Sequence, residues 1–336
     1  RGKEIGKGGY GKVYEGQWAG TTVAIKKLSL DKQNNKTVHT FLREAAALTT
    51  LRHTNIVNFF GITTKPDYTI VMEYMAKSSL DKVLRDEPNL NWQIRFKMAY
   101  DAAVGLNYLH HQKLCHRDIK SLNIFIAEDY TAKLGDFGMI KTNRNITNTC
   151  SSKDGFVGSL KWAAPELMVA KADVKYTTAC DVYSLGLVFW EITTGKHPFK
   201  NVESIWKVPM LVTQGVREKI PENVPPLYRF LIEVCWHADP SARPTVNKIL
   251  EILARCRYES AAEQEKSLIN YKENGLKNAN ATEANEPEQR LARPTVEHNE
   301  NDKKVYDNVI PSIRNAPLFF MGTNSMSNVE QPVSHP

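Results

Sequence analysis

The spacing of hydrophobic residues along the chain changes near residue 75. Before that point, short runs rich in β-branched and aromatic side chains alternate with turns, as at residues 23–28 (VAIKKL) and 68–74 (YTIVMEY), and they predict strands. Between these runs, apolar residues recur at helical spacing over residues 39–50, so one helix interrupts the sheet. Residues 1–75 therefore predict a small, mostly antiparallel β-lobe that contains one helix.

Longer helical patterns follow this lobe. Residues 92–110 and 178–193 are apolar at helical spacing, and residues 225–235 and 246–253 continue the trend. Residues 76–256 therefore predict a larger, mainly helical lobe, and the two lobes together predict an α+β fold.

Beyond about residue 258 the chain loses its hydrophobic periodicity. Residues 274–301 consist mostly of Asn, Glu, Ala and Lys, which bury too little apolar area to offset the entropy of ordering. Residues 257–336 therefore predict a largely disordered tail, with a short apolar patch at residues 316–321 (APLFFM).

Composition indicates the class of protein and the compartment in which it is expected. Of its 336 residues, 42% are hydrophobic and 24% are charged, as in a globular protein whose core needs no disulfides. The five cysteines are scattered and lack a C-x-x-C spacing, which favours reduced thiols in a cytoplasmic compartment over a zinc site or a disulfide framework. No apolar run reaches the roughly 20 residues of a membrane helix, and the start shows no signal-peptide pattern. The chain opens at Arg1 without a methionine, which predicts a fragment whose full-length protein could be attached to a membrane through a missing N-terminal region.

The net charge of +7 suggests a nucleic-acid partner, but its distribution argues against one. Residues 259–336 carry 12 acidic and 8 basic side chains, which leaves +11 on residues 1–258. The basic residues there are dispersed, without an arginine-rich tract or interleaved stacking aromatics. This charge suits the attraction of ATP and acidic peptide segments, and we expect no nucleic-acid partner.

A glycine-rich segment at residues 6–13 (GKGGYGKV) fits the pattern G-x-G-x-x-G-x-V. Glycines let backbone N–H groups approach phosphate oxygens, although the pattern alone is as typical of a hairpin turn without a ligand. A dinucleotide-binding loop would lead straight into a helix. This one leads into residues 13–16 and the strand around Ala24, so the order strand, loop, strand is predicted.

Two further strings carry candidate chemistry. Residues 116–123 read HRDIKSLN, with Asp118 five residues before Asn123, and Asp136 follows thirteen residues later in the string DFG. A positioned acid can accept the proton of a hydroxyl, and amide and carboxylate oxygens suit magnesium. The pattern H-R-D-x-x-x-x-N followed by D-F-G is that of protein kinases. Over residues 1 to about 256, the chain resembles a eukaryotic-type protein kinase, which implies the two-lobed kinase fold.

The resemblance implies residues for phosphoryl transfer. Asp118 would orient the substrate hydroxyl and accept its proton, and Lys120 would neutralise charge on the transferring group. Lys26 would clamp the α- and β-phosphates of ATP. Its expected partner is Glu44, the one acidic residue of the helical segment at residues 39–50.

The resemblance also implies a nucleotide and metal site. Asn123 and Asp136 would hold Mg²⁺, with Mn²⁺ as a substitute. Met72 would lie at the back of the adenine pocket, and the backbone of Glu73 and Met75 would hydrogen-bond adenine. The full ATP-binding set would be Ile5, Gly6, Lys7, Gly8, Gly9, Tyr10, Gly11, Lys12, Val13, Ala24, Lys26, Met72, Glu73 and Met75.

Other residues are implied to be structural or regulatory. The structural ones are a spine of His116, Phe137, Leu48 and Phe59, a buried ion pair of Glu166 with Arg243, and Asp181, which would brace the catalytic loop. Between Asp136 and Glu166 lies the activation segment, whose candidate phosphorylation sites are Thr142, Thr147, Thr149, Ser151, Ser152 and Ser159, the last of these favoured as a substrate-facing residue. Arg117 would pair with a phosphate added there by an upstream kinase or by a second copy in trans.

The type of kinase is narrowed further by local strings. Lys120, two residues after Asp118, resembles serine/threonine kinases, and Ser159 stands where most of these have threonine. Residues 161–166 (KWAAPE) and 235–240 (CWHADP) resemble the tyrosine-kinase-like group, but they leave the subfamily and the physiological substrate open. The alternatives are a pseudokinase scaffold that acts through ATP binding and conformation, and a tyrosine or dual-specificity kinase. A pseudokinase would normally lack the reactive lysine or aspartates, and none is lost.

Overall fold

The computed structural model describes residues 2–7, 11–28, 45, 48–63, 68–137, 141–142, 159–168, 176–259 and 261–274. Five strands form the N-terminal sheet: β1 (Glu4–Lys7), β2 (Gly11–Trp18), β3 (Thr21–Leu28), β4 (Phe59–Thr63) and β5 (Thr69–Glu73). Their order across the sheet is β1-β2-β3-β5-β4, and every neighbouring pair is antiparallel. The predicted antiparallel lobe is confirmed.

The tight turn between β2 and β3 shows how local sequence sets this register. Trp18 pairs with Thr21, so only Ala19 and Gly20 connect the strands. Both have positive φ, 49° and 80°, the backbone of a two-residue hairpin whose twist matches the strands. Glycine tolerates this conformation without strain.

The helix predicted for this lobe is described only in part. Ala45 and residues 48–50 are helical, and Ala45 and Leu48 are buried. They share a core with Phe59 and Ile70 of the sheet, as expected for residues three apart on one helical face.

Helices dominate the second lobe, as predicted. They are α1 (Leu80–Asp86), α2 (Trp92–His111), α3 (Thr178–Thr194), α4 (Val208–Thr213), α5 (Pro226–Cys235), α6 (Val246–Tyr258) and α7 (Ala261–Asn274). Helix α3 is apolar around most of its circumference and is buried from Cys180 to Ile192, because a helix without a polar face belongs inside a core. It ends at Gly195, whose φ of 65° provides a left-handed C-cap.

An aromatic cluster joins three of these helices. The ring of Tyr228 on α5 lies 5.6 Å from Trp92 and 5.4 Å from Phe96 of α2, and 5.8 Å from Phe189 of α3. These separations and tilted orientations are favourable for aromatic pairs. The cluster makes α3 a fixed scaffold for the segments that pack on it.

Two small sheets place the candidate chemistry between the lobes. Strand β6 (Leu114–Cys115) pairs with β9 (Lys141–Thr142), and β7 (Ile124–Ile126) pairs with β8 (Ala132–Leu134). The loop of residues 116–123 connects β6 to β7, and Asp136 follows β8 by two residues. Leu134 also exchanges backbone hydrogen bonds of 2.9 Å with Asn55 and Val57, which ties β8 to the segment before β4.

Helix α7 departs from the predicted tail. Its Tyr271 stacks on Phe230 of α5 at 5.9 Å, and Gln264 and Ser267 are buried and hydrogen-bonded to the end of α6 and to Glu259. The prediction of disorder is therefore wrong for residues 261–274. Polar residues occupy much of the buried face of this helix, so its hydrophobic pattern was weak. Residues 275–336, including the apolar patch at 316–321, lie outside the described residues.

Two further findings concern the cysteines and the possibility of a membrane-spanning helix. Cys115, Cys180, Cys235 and Cys256 have buried thiols, and Cys150 lies outside the described residues. Across the described part of the chain, no helix combines the length and the apolar character needed to cross a membrane.

Candidate active site

The carboxylate of Asp118 is the centre of the loop between β6 and β7. Its Oδ2 accepts hydrogen bonds from Lys120 Nζ at 2.7 Å and from Asn123 Nδ2 at 2.8 Å. Asn123 Nδ2 also donates to the backbone oxygen of Asp118 at 2.9 Å. Three of the predicted site residues therefore meet at one carboxylate, and because Nδ2 makes both of these contacts, the amide oxygen of Asn123 remains as its candidate metal ligand.

Ser159 joins the same group from a distant part of the sequence. Its Oγ donates to Asp118 Oδ1 at 3.1 Å and accepts from Lys120 Nζ at 2.9 Å. A side-chain hydroxyl can thus reach Asp118 within hydrogen-bonding distance. This is the contact required of a general base for a hydroxyl acceptor.

Asp181, at the first turn of α3, holds the start of this loop. Its buried carboxylate accepts from the backbone N–H groups of His116 and Arg117, both at 2.9 Å. Burial alone would raise the pKa of Asp181, but the hydrogen bond and charge of His110 and the hydrogen bond from Tyr176 bring it below its ordinary value. Arg117 has a φ of 71°, an unfavourable conformation that these bonds hold in place. The predicted bracing role of Asp181 is confirmed.

Lys26 and Asp136 meet across the lobes. Lys26 Nζ lies 3.6 Å from Asp136 Oδ1, and Lys26 is buried on β3. Asp136 has a φ of 59°, a left-handed backbone conformation that is uncommon for residues other than glycine. Glu44 lies outside the described residues, so its ion pair with Lys26 stays a prediction.

The glycine-rich segment forms the predicted strand-loop-strand arrangement. Strand β1 pairs with β2 through Gly6 opposite Val13 and Lys7 opposite Lys12, which places Ile5 on β1 and Gly11 on β2. A dinucleotide-binding loop would open a helix here and is excluded. Gly8, Gly9 and Tyr10, which follow β1 in the sequence, lie outside the described residues.

The predicted adenine-binding residues lie at the end of β5. Met72 pairs with Ala24 of β3, and Met75, just beyond the strand, is buried. The Glu73 carboxylate accepts from Lys133 Nζ at 2.7 and 2.9 Å and from Asn58 Nδ2 at 3.0 Å. Its side chain is therefore engaged with Lys133 and Asn58, and its backbone N–H donates to the Asn58 oxygen at 2.8 Å. The contact of adenine with the Glu73 and Met75 backbone stays a prediction.

The residues predicted to have structural roles make the expected contacts. The rings of His116 and Phe137 are 5.2 Å apart and fully buried, and Leu48 and Phe59 belong to the same core. Arg243 binds Glu166 through two contacts of 2.7 Å. Among the candidate phosphorylation sites, Thr142 lies in β9 and Ser159 in the site described above, whereas Thr147, Thr149, Ser151 and Ser152 lie outside the described residues.

One acidic residue near the site was not identified as a candidate from the sequence. Glu191 of α3 is 1% exposed and accepts hydrogen bonds from Ser121 and from the indole of Trp162. Burial raises its pKa to about 8, against the effect of these hydrogen bonds. The signal was available, because a single acid within the apolar run 182–192 is unusual.

The antiparallel lobe, the helical lobe and the residues gathered between them define a protein kinase domain. A family model for protein tyrosine and serine/threonine kinases matches residues 1–253, and the chain belongs to this family. The resemblance drawn from the motifs is confirmed.

Relatives narrow the family to the serine/threonine type. The chain is 36% identical over 257 residues to the serine/threonine-protein kinase CTR1 of Arabidopsis thaliana, covering 75% of this chain and 31% of CTR1. It is 36% identical over 258 residues to drkA of Dictyostelium discoideum, named a probable serine/threonine-protein kinase, covering 75% of this chain and 39% of drkA. It is 35% identical over 261 residues to R831 of Acanthamoeba polyphaga mimivirus, named a serine/threonine-protein kinase/receptor, covering 76% of this chain and 16% of R831. The chain thus spans well under half of these relatives.

Proposed function

We propose that this protein transfers the γ-phosphoryl group of ATP to serine and threonine hydroxyls of protein substrates. The contact that supports this best is that of Asp118 with the Ser159 hydroxyl at 3.1 Å, because the same carboxylate oxygen can receive a proton from a substrate hydroxyl. Lys120 lies 2.7 Å from Asp118 and supplies positive charge where the transferring group carries negative charge.

The donor set fits the magnesium that this family generally uses. Asn123 and Asp136 offer amide and carboxylate oxygens, and the Gly135 N–H donates to the Asn123 backbone oxygen at 2.9 Å, which brings their two segments together. Asn123 and Asp136 would hold the metal, which would supply positive charge to offset that of the phosphates. Lys26 would hold the α- and β-phosphates, with Glu44 as its orienting partner.

Lys120 and Ser159 support a proposal for the choice of acceptor. Both residues bind Asp118 and each other. We infer from these short contacts that the acceptor hydroxyl lies close to the substrate backbone, as it does in serine and threonine. We therefore propose serine and threonine ahead of tyrosine, in agreement with the names of the relatives.

We further propose control by phosphorylation of the activation segment. Arg117 precedes Asp118 and its guanidinium stacks over the Tyr176 ring at 5.2 Å. Among the described residues, its buried Nε has no hydrogen-bond partner. A phosphate on the segment would pair with this cation and order the segment for catalysis, whether added by an upstream kinase or by a second copy of the chain.

The test is a phosphorylation assay on the purified protein with Mg-ATP and a generic protein substrate, compared with Asp118→Asn. We expect autophosphorylation and substrate phosphorylation in the wild type only, with phosphoserine and phosphothreonine in the product. If the wild type matches Asp118→Asn while still binding Mg-ATP, the protein is a pseudokinase scaffold. Phosphotyrosine alone would contradict the choice of acceptor.

A further inference from the structure

Two three-residue 3-10 turns, Ser121–Asn123 and Leu160–Trp162, border the acceptor side of the site. The residue before each turn, Lys120 in one case and Ser159 in the other, gives its own turn no side-chain cap. These two residues instead bind each other and Asp118. So short a turn has few hydrogen bonds of its own, and its position depends on outside contacts.

Behind the turns, one side chain binds both of them. Glu191 Oε1 accepts from Ser121 Oγ at 2.6 Å, and Oε2 accepts from Ser121 N–H at 3.3 Å and from Trp162 Nε1 at 2.8 Å. The catalytic loop and the acceptor-side turn, Leu160–Trp162, are therefore joined twice, once through Asp118 and once through Glu191.

The anchor of this second connection is the buried helix α3. Ser184 of α3 donates to the Trp162 backbone oxygen at 2.8 Å, and Asp181 holds the start of the catalytic loop. Residues 181, 184 and 191 are spaced by three and seven positions, so they share one face of α3. A buried helix in the centre of the lobe thus fixes both segments at once.

The surroundings make an acid at this position costly for stability alone. Glu191 is almost completely buried, and the charge of Asp81 opposes its ionisation. His197 contacts Asp81 and also lies edge-on to the Trp162 ring at 5.8 Å. Burying an ionisable group costs free energy that its hydrogen bonds must offset, and the hydrogen bonds of Glu191 go to these two turns.

We propose that Glu191 is a positioning residue that locks the acceptor-side turn to the catalytic loop and so sets the approach of a protein hydroxyl to Asp118. This inference rests on the proposed kinase function. It concerns transfer to a protein acceptor, because Asn123 keeps its contacts with Asp118 and with the Gly135 N–H when Glu191 is changed. Hydrolysis of ATP by water also needs no bound substrate chain along Leu160–Trp162.

The test compares Glu191→Gln, Glu191→Met and the matched control Thr193→Val. Glutamine can accept from Trp162 and from Ser121 N–H with its oxygen and donate to Ser121 Oγ with its amide, whereas methionine offers these donors nothing. Thr193 lies on the same helix, and among the described residues its hydroxyl bonds only to Phe189 O of its own turn. For each variant, peptide phosphorylation, Mg-ATP hydrolysis and the KM for ATP are measured, with circular dichroism as the check of folding.

We expect Glu191→Met to lower kcat/KM for a peptide by about 10- to 100-fold, as for buried donors left unpaired, with ATP hydrolysis and the KM for ATP within about threefold of the wild type. Glu191→Gln and Thr193→Val should keep most peptide phosphorylation. The inference fails if Glu191→Met reduces both reactions equally, if it reduces neither, or if Glu191→Gln is as impaired as Glu191→Met.

A variant that does not fold and a wild type without activity are two further outcomes of this test. If Glu191→Met does not fold, the double variant Ser121→Ala/Trp162→Phe removes the side-chain donors while the acid stays, and it should show the same selective loss of peptide phosphorylation. An equal loss of both reactions there would overturn the inference. An inactive wild type would refute the proposed kinase function instead, so the two failures are distinguishable.

Discussion

The buried ion pair of Arg243 with Glu166 gives a prediction whose size follows from the structure. The Arg243 side chain is fully buried, and besides its two 2.7 Å contacts with Glu166 it donates to the backbone oxygens of His237, Ala179 and Ala238. Arg243→Met would leave an acid and three carbonyl groups without this donor. Removing one partner of a buried pair costs about 3–5 kcal/mol.

For a domain of this size, that cost should lower Tm by roughly 6–20 °C, at about 2–4 °C per kcal/mol. The matched control is Lys207→Met, because Lys207 and Glu203 are also 2.7 Å apart but 56% and 84% exposed. An exposed pair contributes about 0–1 kcal/mol, so the control should unfold close to the wild type. Thermal unfolding followed by circular dichroism gives both values. Equal Tm values for the two variants would refute the reasoning that burial decides the contribution of this pair.

The remaining predictions concern three other sites. Glu191 has its ordinary pKa of 4.5 in the unfolded chain and a pKa of about 8 in the folded chain. Because the folded state keeps the proton to higher pH, the stability of the protein should fall as pH rises through this interval. The Tm measured against pH should fall less in Glu191→Gln. Tyr271→Ala should lower the stability by about 3–5 kcal/mol as a buried aromatic truncation, and a urea midpoint equal to that of the wild type would mean that α7 does not pack on α5. Ser159→Ala should lower kcat/KM for a protein substrate by about 5- to 20-fold and Ser159→Thr should preserve it, and steady-state kinetics in which both variants match would contradict a role for the hydroxyl.

The sequence could predict which residues of the candidate site lie together because three of them are close in the chain. Asp118, Lys120 and Asn123 lie within six residues, and the fold needs only a loop between two short strands to bring them together. Lys26 and Asp136 were found through their motifs, and their separation of 3.6 Å agrees with that prediction. Both lobes were visible in the change of hydrophobic period.

What the sequence did not reveal depends on tertiary contacts between polar residues. Glu191 is 29 residues from Trp162 and 70 from Ser121, and no local pattern links them. Helix α7 was missed for a related reason, since Gln264 and Ser267 are buried by hydrogen bonds and not by apolar spacing. Hydrophobic periodicity predicts faces that pack through apolar area, and these contacts use little of it.

The central claim is that Asp118 receives a serine or threonine hydroxyl for phosphorylation by ATP. Its most direct test is the rate of γ-phosphoryl transfer from Mg-ATP to three peptides that differ only in having serine, tyrosine or alanine at the acceptor position, measured for the wild type and for Asp118→Asn. Binding of Mg-ATP to both proteins is confirmed first. The account predicts transfer to the serine peptide by the wild type and little transfer by Asp118→Asn. Equal rates for the two proteins, or transfer to the tyrosine peptide alone, would contradict it.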